Sequence, residues 1–367
     1  MTPKERLYAR LAGKPVDRIP NLNIVMLFAA QHAGVPYGEF CSDYRTLVKA
    51  QEQTAVDFGL DILSTMSDPF RETYDFGAPV TFTPDNLPVC HGPVLQEAED
   101  WRKLKHYDPL TSIRTLDRVE ACRLFKAHHG EEYPILGWVE GCFAEFCDLA
   151  TVSERLMMLL DEPEEVENAF QFLLEQQLMN ARAQIDAGAD IIGIGDAVAS
   201  LIGLGVYREL VLPYEEKLIH GIQAMGAKVK LHICGNINHI LADMVNTGAE
   251  IVDIDFMVDL SRALSLAKGK CSICGNLNPA EVILAGDGAT VRAAAEECLR
   301  VAADSNTYLF SGGCEVPRYT PVENMRAMQS VLLHACGCHD QAHIEHGLGD
   351  AAPGGFASHW RGDLHET

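Results

Sequence analysis

The sequence predicts an α/β fold, a single (β/α)₈ TIM barrel. Short apolar runs alternate with helical patterns along the chain, and one glycine–alanine junction recurs where a helix gives way to a strand. No G-x-G-x-x-G follows a predicted strand. Gly193-Ile194-Gly195 lacks the third glycine and leads into Asp196, which repels a pyrophosphate, so an open dinucleotide-binding sheet is disfavoured.

The apolar runs fall at residues 19–26, 61–66, 135–139, 191–195, 229–233, 251–254, 271–274 and 308–310, eight in all, as a closed barrel requires. Most lead into apolar residues at i, i+3, i+4 spacing, as over 207–225 and 321–334. Gly188, Gly226 and Gly248 each precede an alanine, where a helix C-cap is expected before the next strand. Residues 74–95 carry four prolines and read as a β-hairpin inserted after strand 2, with arms at 79–83 and 87–89 joined through Pro84-Asp85-Asn86. Residues 1–338 are assigned to the barrel. Residues 339–367 are rich in Gly, His and Asp without apolar period and are assigned to a flexible tail.

A chain of 367 residues, 47% hydrophobic, has ample material for one large core. Its net charge of −23 argues against nucleic acid and anionic membrane surfaces as partners. No apolar run approaches the roughly 18 residues of a membrane span. The stretch from Met1 to Arg6 runs into a charged amphipathic segment without a signal-peptide core. These features fit a cytoplasmic protein, so the twelve cysteines are read as reduced thiols. About nine of them are expected to be small core residues.

The chemistry concentrates in residues 228–235. On a strand, His232 and Cys234 share a face, and they stand at its C-terminal end just before Gly235, where a barrel carries its active site. An isolated H-x-C is ordinarily a pair of core residues. Here the glycine-flanked strand tip favours ligands, and a third candidate, Cys314, follows the last run after Gly312 and Gly313. One imidazole and two thiolates suit zinc and leave a coordination position open. Cys271 and Cys274 have C-x-x-C spacing, but three residues along a strand reverse the face, so they read as structural. Cys336 and Cys338 end the last helix and read as an accidental pair. The other predicted strand tips present Asp68, Glu140, Asp196, Asp255 and Asn276 as pocket candidates. The three carboxylates Asp68, Glu140 and Asp196 are candidate catalytic groups, Asn276 a candidate cofactor contact, and Asp255 a candidate displaceable fourth metal ligand.

On these residues the chain resembles the uroporphyrinogen decarboxylase superfamily, from about residue 4 to 335. Within it, the chain is similar to the cobamide-dependent methyltransferases, the methylcobamide:coenzyme M branch among them. That branch carries H-x-C-G and, far downstream, G-C-x-x-P, which are His232 to Gly235 and Gly313 to Pro317 here. Gly195-Asp196-Ala197, residues 275–279 and residues 320–324 are similar as well. The resemblance implies zinc on His232, Cys234 and Cys314, with an acidic fourth ligand near Asp255. It also implies methyl transfer between a small substrate and the cobalt of a corrinoid protein. In one direction a thiolate attacks methyl-Co(III) and leaves Co(I); in the other, Co(I) is the nucleophile.

The decarboxylase itself is the rival. Residues 60–68 resemble its strand-2 motif, with Asp68 in the place of its catalytic aspartate. It needs no metal, and it binds a substrate bearing eight carboxylates through an arginine-rich segment after strand 1. The comparable residues 29–35 contain no arginine, and arginine forks are the natural partners of carboxylates. A barrel that binds a corrinoid or tetrapyrrole without transforming it is the third reading.

Overall fold

The second apolar run forms the short strand β1 (Leu63–Ser64), and the third to eighth form longer ones, in the computed structural model, which describes residues 1–150, 158–159 and 161–334. The expected tail over 339–367 and the Cys336 and Cys338 pair lie outside the described residues. A short antiparallel pair, β2 (Val80–Thr81) and β3 (Val89–Cys90), follows β1, with Val80 opposite Cys90. Its second arm begins later than the sequence predicts, because Pro88 has no N–H to give a ladder. The remaining strands are β4 (Ile135–Glu140), β5 (Ile191–Gly195), β6 (Lys228–Ile233), β7 (Ile251–Ile254), β8 (Ser272–Leu277) and β9 (Leu309–Gly312). All but β2 and β3 pair in parallel, as a seven-stranded sheet in the order β1-β4-β5-β6-β7-β8-β9.

The first run, 19–26, is not a strand. Asn21 makes only an isolated parallel bridge to Phe310. Side chains occupy the ladder positions around it: Asn21 N–H donates to Asp61 Oδ2 at 2.7 Å, and Gly312 N–H donates to Asn23 Oδ1 at 2.7 Å. The segment nonetheless touches both sheet edges. Phe310 N–H donates to Pro20 O at 2.9 Å, and Asp61 N–H to Asn21 O at 2.8 Å.

Helices fill the connections. They are α1 (Pro3–Leu11), α2 (Leu27–Ala33), α3 (Tyr37–Ser42), α4 (Tyr44–Phe58), α5 (Arg71–Asp75), α6 (Ile113–His129), α7 (Cys142–Asp148) and α8 (Pro163–Asp186). After β5 come α9 (Leu212–Ala224), α10 (Leu241–Met244), α11 (Leu260–Ala267), α12 (Gly288–Val301) and α13 (Val322–His334). At the three predicted junctions Gly188, Gly226 and Gly248 all have positive φ, between 95° and 113°; Gly188 and Gly226 follow the helix C-caps directly, whereas Gly248 lies four residues past the end of its helix, which is capped at Val245. None of the described helices is long and apolar enough to cross a membrane.

Strand alternation sorts the core into two layers. Ile192, Ile194, Val229, Leu231, Val252 and Ile273 face outward under the helices. Leu22, Ile62, Leu136, Trp138, Ile251 and Leu309 face inward and form a separate cluster. Leu7 of α1 belongs to that inner cluster and is fully buried, so α1 plugs the N-terminal end of the strands. A Thr2–Glu5 capping box starts this helix, and Lys4 Nζ reaches Asp190 Oδ1 at 2.8 Å to pin it there. The C-x-x-C residues split as expected. Cys274 joins the inner cluster and Cys271 the outer one.

Gly193 and Gly195 serve packing. A Cβ on Gly193 would lie 2.2 Å from Trp138 Cε3, and one on Gly195 would lie 2.8 Å from Trp138 Cζ2. The indole therefore lies flat across β5 and fills the middle of the inner layer. Gly193→Ala should overpack this layer at a cost of about 1–3 kcal/mol. The expected result is a lower denaturant midpoint with an unchanged slope, whereas Gly205→Ala, with nothing within 4 Å of its added Cβ, should leave the midpoint essentially unmoved.

Candidate metal centre

Strand register builds the site. Glu140, Gly195, His232, Asp253 and Cys274 pair in sequence across β4 to β8, so they form one inward-facing row near the C-terminal ends of the strands. Cys234 stands just past β6, and Cys314 two residues past β9. The ligating atoms of His232, Cys234 and Cys314 all lie within 4.8 Å of one another, with Cys314 Sγ 4.0 Å from His232 Nε2. His232 is buried, and both thiols are half-buried. One nitrogen and two sulfurs within this reach fit a zinc ion and leave a position free.

The loop carrying Cys314 is held from several sides. Gly313 N–H donates to Leu277 O at 2.8 Å, and Val316 N–H to Ile24 O at 2.9 Å. Glu315 Oε1 accepts the N–H of Leu27 at 2.6 Å at the start of α2, a helix end where a carboxylate is favoured. Burial pushes the Glu315 carboxyl up to about 7. Neither Gly312 nor Gly313 is among the positive-φ glycines; what Gly313 provides is close approach, since a Cβ there would lie 2.3 Å from Phe256 N.

The second nitrogen of His232 has a partner that the sequence reading did not name. Asp253 Oδ2 lies 3.1 Å from His232 Nδ1, and Lys230 Nζ, one inward position below on β6, pairs with the same oxygen. All three side chains are buried. Burial alone would strip His232 of charge, but Asp253 and then Cys314 outweigh it and raise the imidazole from 6.5 to about 9. The same network holds Asp253 below the usual carboxylate range, against its burial, through Lys230 and His232. Contact with Cys314 lowers the Cys234 thiol and raises Cys314 itself. With Nδ1 turned to a carboxylate, Nε2 is the nitrogen presented toward the thiols.

The other candidates are placed differently. Asp255 is not among the three converging ligands. Its Oδ2 accepts Gly235 N–H at 2.8 Å, and so braces the turn that follows Cys234. Asn276 donates to Asp255 O and Val258 O, at 3.1 and 2.8 Å, and holds the loop after β7. Asp68 is bound in a buried ion pair with Arg114, at 2.7 Å, and accepts Ser67 Oγ at 2.6 Å. Burial opposes its charge, but Arg114 and Arg71 hold it well below the usual range. Glu140 shares the row of His232 and accepts Trp138 Nε1 at 2.9 Å; burial, then Glu72 and Asp148, push its carboxyl well up. Asp196 accepts Ala144 N–H at 2.9 Å at the start of α7, and burial raises it to about 7.

Three outcomes follow from the His232–Asp253 contact. In the metal-free protein the His232 proton stabilises the fold fully below about pH 6.5, and this contribution is lost as pH rises through about 9. A zinc ion held here would have to displace that proton and those of the two thiols, so zinc affinity should climb with pH across the neutral range and beyond, as read by chelator competition. Asp253→Asn should weaken zinc binding by about 10–100-fold at neutral pH in the same assay.

A sequence model of the family described as Uroporphyrinogen decarboxylase (URO-D) matches residues 2–333. The methylcobamide:CoM methyltransferase MtbA of Methanosarcina mazei is 28% identical over 342 residues, which cover 89% of this chain and 96% of that protein. A uroporphyrinogen decarboxylase of Coxiella burnetii is 25% identical over 346 residues, covering 88% and 93%. A solved structure of a methyltransferase from Methanosarcina mazei superposes with a TM-score of 0.83 at 24% identity, over 91% of this chain and 99% of that one. With the family model spanning nearly all of the described residues, the chain belongs to the uroporphyrinogen decarboxylase (URO-D) family.

Proposed function

We propose that the protein is a zinc-dependent methyltransferase that moves a methyl group between a corrinoid held by a partner protein and a small thiol or other methyl carrier. The observation that carries this reading is the convergence of His232, Cys234 and Cys314 from the ends of β6 and β9. Zinc on these residues supplies a Lewis acid that holds a thiol as thiolate near neutral pH. The chain's own groups do the rest. Asp253 orients the His232 ring, and Glu315 and the Leu277 carbonyl fix the Cys314 loop. The substrate sulfur forms its bond to the methyl carbon as the carbon–cobalt bond breaks, and that electron pair stays on cobalt. Glu140 and Asp196 carry their raised carboxyls at the tips of β4 and β5, within the same mouth, and are the groups we assign to holding protons there. Asp68 and Asn276 act by positioning the walls around the site. Asp255 remains the carboxylate nearest in role to a displaceable ligand, through its brace on Gly235.

The same reading takes residues 1–338 as one (β/α)₈ domain whose eighth stave is the segment around Asn21. It takes the β2–β3 pair as an inserted hairpin. Arg318, four residues past Cys314, grips the Asp85 carbonyl at the hairpin tip, which sets that tip beside the mouth. The protein would act in the cytoplasm, without nucleic acid or membrane as partner.

The decarboxylase reading meets two obstacles. It leaves the nitrogen–sulfur set without a use, and the helix α2 that follows the first run carries no arginine. The test is methyl transfer from methylcobalamin to a panel of thiols by the purified chain, together with its metal content. Thioether should form with one zinc per chain, and Cys314→Ala should lower the rate by about 100-fold or more while the fold stays intact. Coproporphyrinogen formed from uroporphyrinogen without metal would replace this reading with decarboxylation; binding of a corrinoid without turnover of any carrier would leave a binding barrel.

A further inference from the structure

A second set of metal-ligating groups converges on the outside of the barrel. Glu52 lies on α4, and His128 and His129 are the last two residues of α6. Glu52 Oε1 is 2.8 Å from His128 Nδ1 and 3.4 Å from His129 Nε2, and the three ligating atoms all lie within 4.8 Å of one another. Consecutive residues on a helix point about 100° apart, so neighbouring imidazoles ordinarily diverge. Here they meet because one presents Nδ1 and the other Nε2, with the rings perpendicular at 6.0 Å. Tyr133 stands edge-on to His129 at 5.9 Å and limits its rotation.

The surroundings suit a cation. α6 ends at these histidines, and its last carbonyls place partial negative charge beside them. The protein's overall charge of −23 draws cations to its surface. The three ligands form part of the wall of a cleft of about 1080 Å³, which Tyr44, Val48 and Leu124 also line. Arg45 and Lys49 stand on the same wall, so an anion could share the cleft with a bound metal.

We propose that Glu52, His128 and His129 form a second cation site, separate from the centre at His232, for a borderline divalent transition ion such as zinc, cobalt or nickel. Two imidazoles and one carboxylate favour these ions over magnesium or calcium, which take oxygen ligands. Binding replaces the proton shared between Glu52 and His128 with the cation and turns a helix–helix hydrogen bond into a metal clasp between α4 and α6. The remaining coordination positions face the cleft.

Cobalt(II) titration of the full chain tests this, because cobalt on thiolates absorbs strongly in the near ultraviolet and cobalt on nitrogen and oxygen does not. Two equivalents should bind, one with the thiolate band and one without. The variant carrying His128→Ala and His129→Ala should lose the second equivalent and keep the first with its band; Cys314→Ala should do the reverse. Glu52→Gln, which keeps the helix contact, should weaken the second equivalent alone. Wild type that lacks the bandless equivalent would overturn the proposal. So would a bandless equivalent that survives unchanged in both the double histidine and the Glu52→Gln variants, which would assign it elsewhere, for instance to the tail histidines His343 and His346. Loss of the thiolate-band equivalent alone would count against the centre at His232 and leave this site standing.

Discussion

A buried imidazole between two thiols needs something to fix its orientation, and most of the site's order can be traced to Asp253. The register of β6 against β7 puts this carboxylate directly beside His232, and Lys230 sits one inward position below, against the same oxygen. A buried cation–anion pair is costly to desolvate and is seldom a net source of stability. Its value here is directional. A turned ring would leave Nδ1 buried without its carboxylate, while Asp253 keeps Lys230, so Nε2 stays on the side of Cys234 and Cys314. The row then continues to Cys274, whose thiol burial pushes well up, so it stays neutral beside Asp253 and offers no rival thiolate.

The inner face of the curled sheet is graded along its length, and the grading locates the chemistry. Leu7, Leu22, Ile62 and Leu309 close the lower part as an apolar plug, and Trp138 spreads over the two glycines of β5 above it. Polar side chains begin at the level of Lys230 and Ser272 and dominate the row of Glu140, His232 and Asp253. The apolar plug supplies rigidity from below. The loops that close the top are fastened by side chains spent on backbone groups: Asp255 on Gly235, Asn276 on two carbonyls, Glu315 on Leu27. These residues stand at strand tips, as active-site residues do, yet their polar atoms face the protein.

This explains how far the sequence could be read. The six runs from 135 onward were legible because a buried parallel strand is apolar on both faces, and three glycine junctions marked where the strands β5, β6 and β7 were about to begin. The run 19–26 had the same apolar content but formed no strand, because Asp61 and Asn23 take its ladder positions, and those contacts join residues about 40 and 289 apart. His232, Cys234 and Cys314 were legible because period two and flanking glycines are local signals. Asp253 and Lys230 were not singled out, since Lys230 reads as one more strand residue and Asp253 as a break in an apolar run until the register sets them side by side. Asp255 and Asn276 lie at the ends of β7 and β8 and Asp68 four residues past β1, but such a position says nothing about whether an arginine on α6 or a carbonyl in the next loop will claim the side chain.

The charge inside the mouth bears on what can enter it. The buried guanidinium groups around β1 and β4 are each matched to a carboxylate: Arg114 to Asp68, Arg71 to Asp117 and Arg118 to Glu72, at 2.7 to 2.8 Å. Beyond these pairs stand further carboxyls that burial pushes toward the neutral form, Asp148 to about 8 and Asp196 to about 7. Such a wall accepts protons near neutral pH and has its strongest cations already paired. A substrate carrying many carboxylates would have to break those pairs, each at the cost of leaving a buried charge unmatched. A neutral methyl carrier, or a thiol that loses its proton only on reaching the His232 centre, meets no such penalty. Family membership alone leaves decarboxylation and methyl transfer side by side; the paired state of Arg71, Arg114 and Arg118, set next to the nitrogen–sulfur convergence, is what weights this chain toward the second.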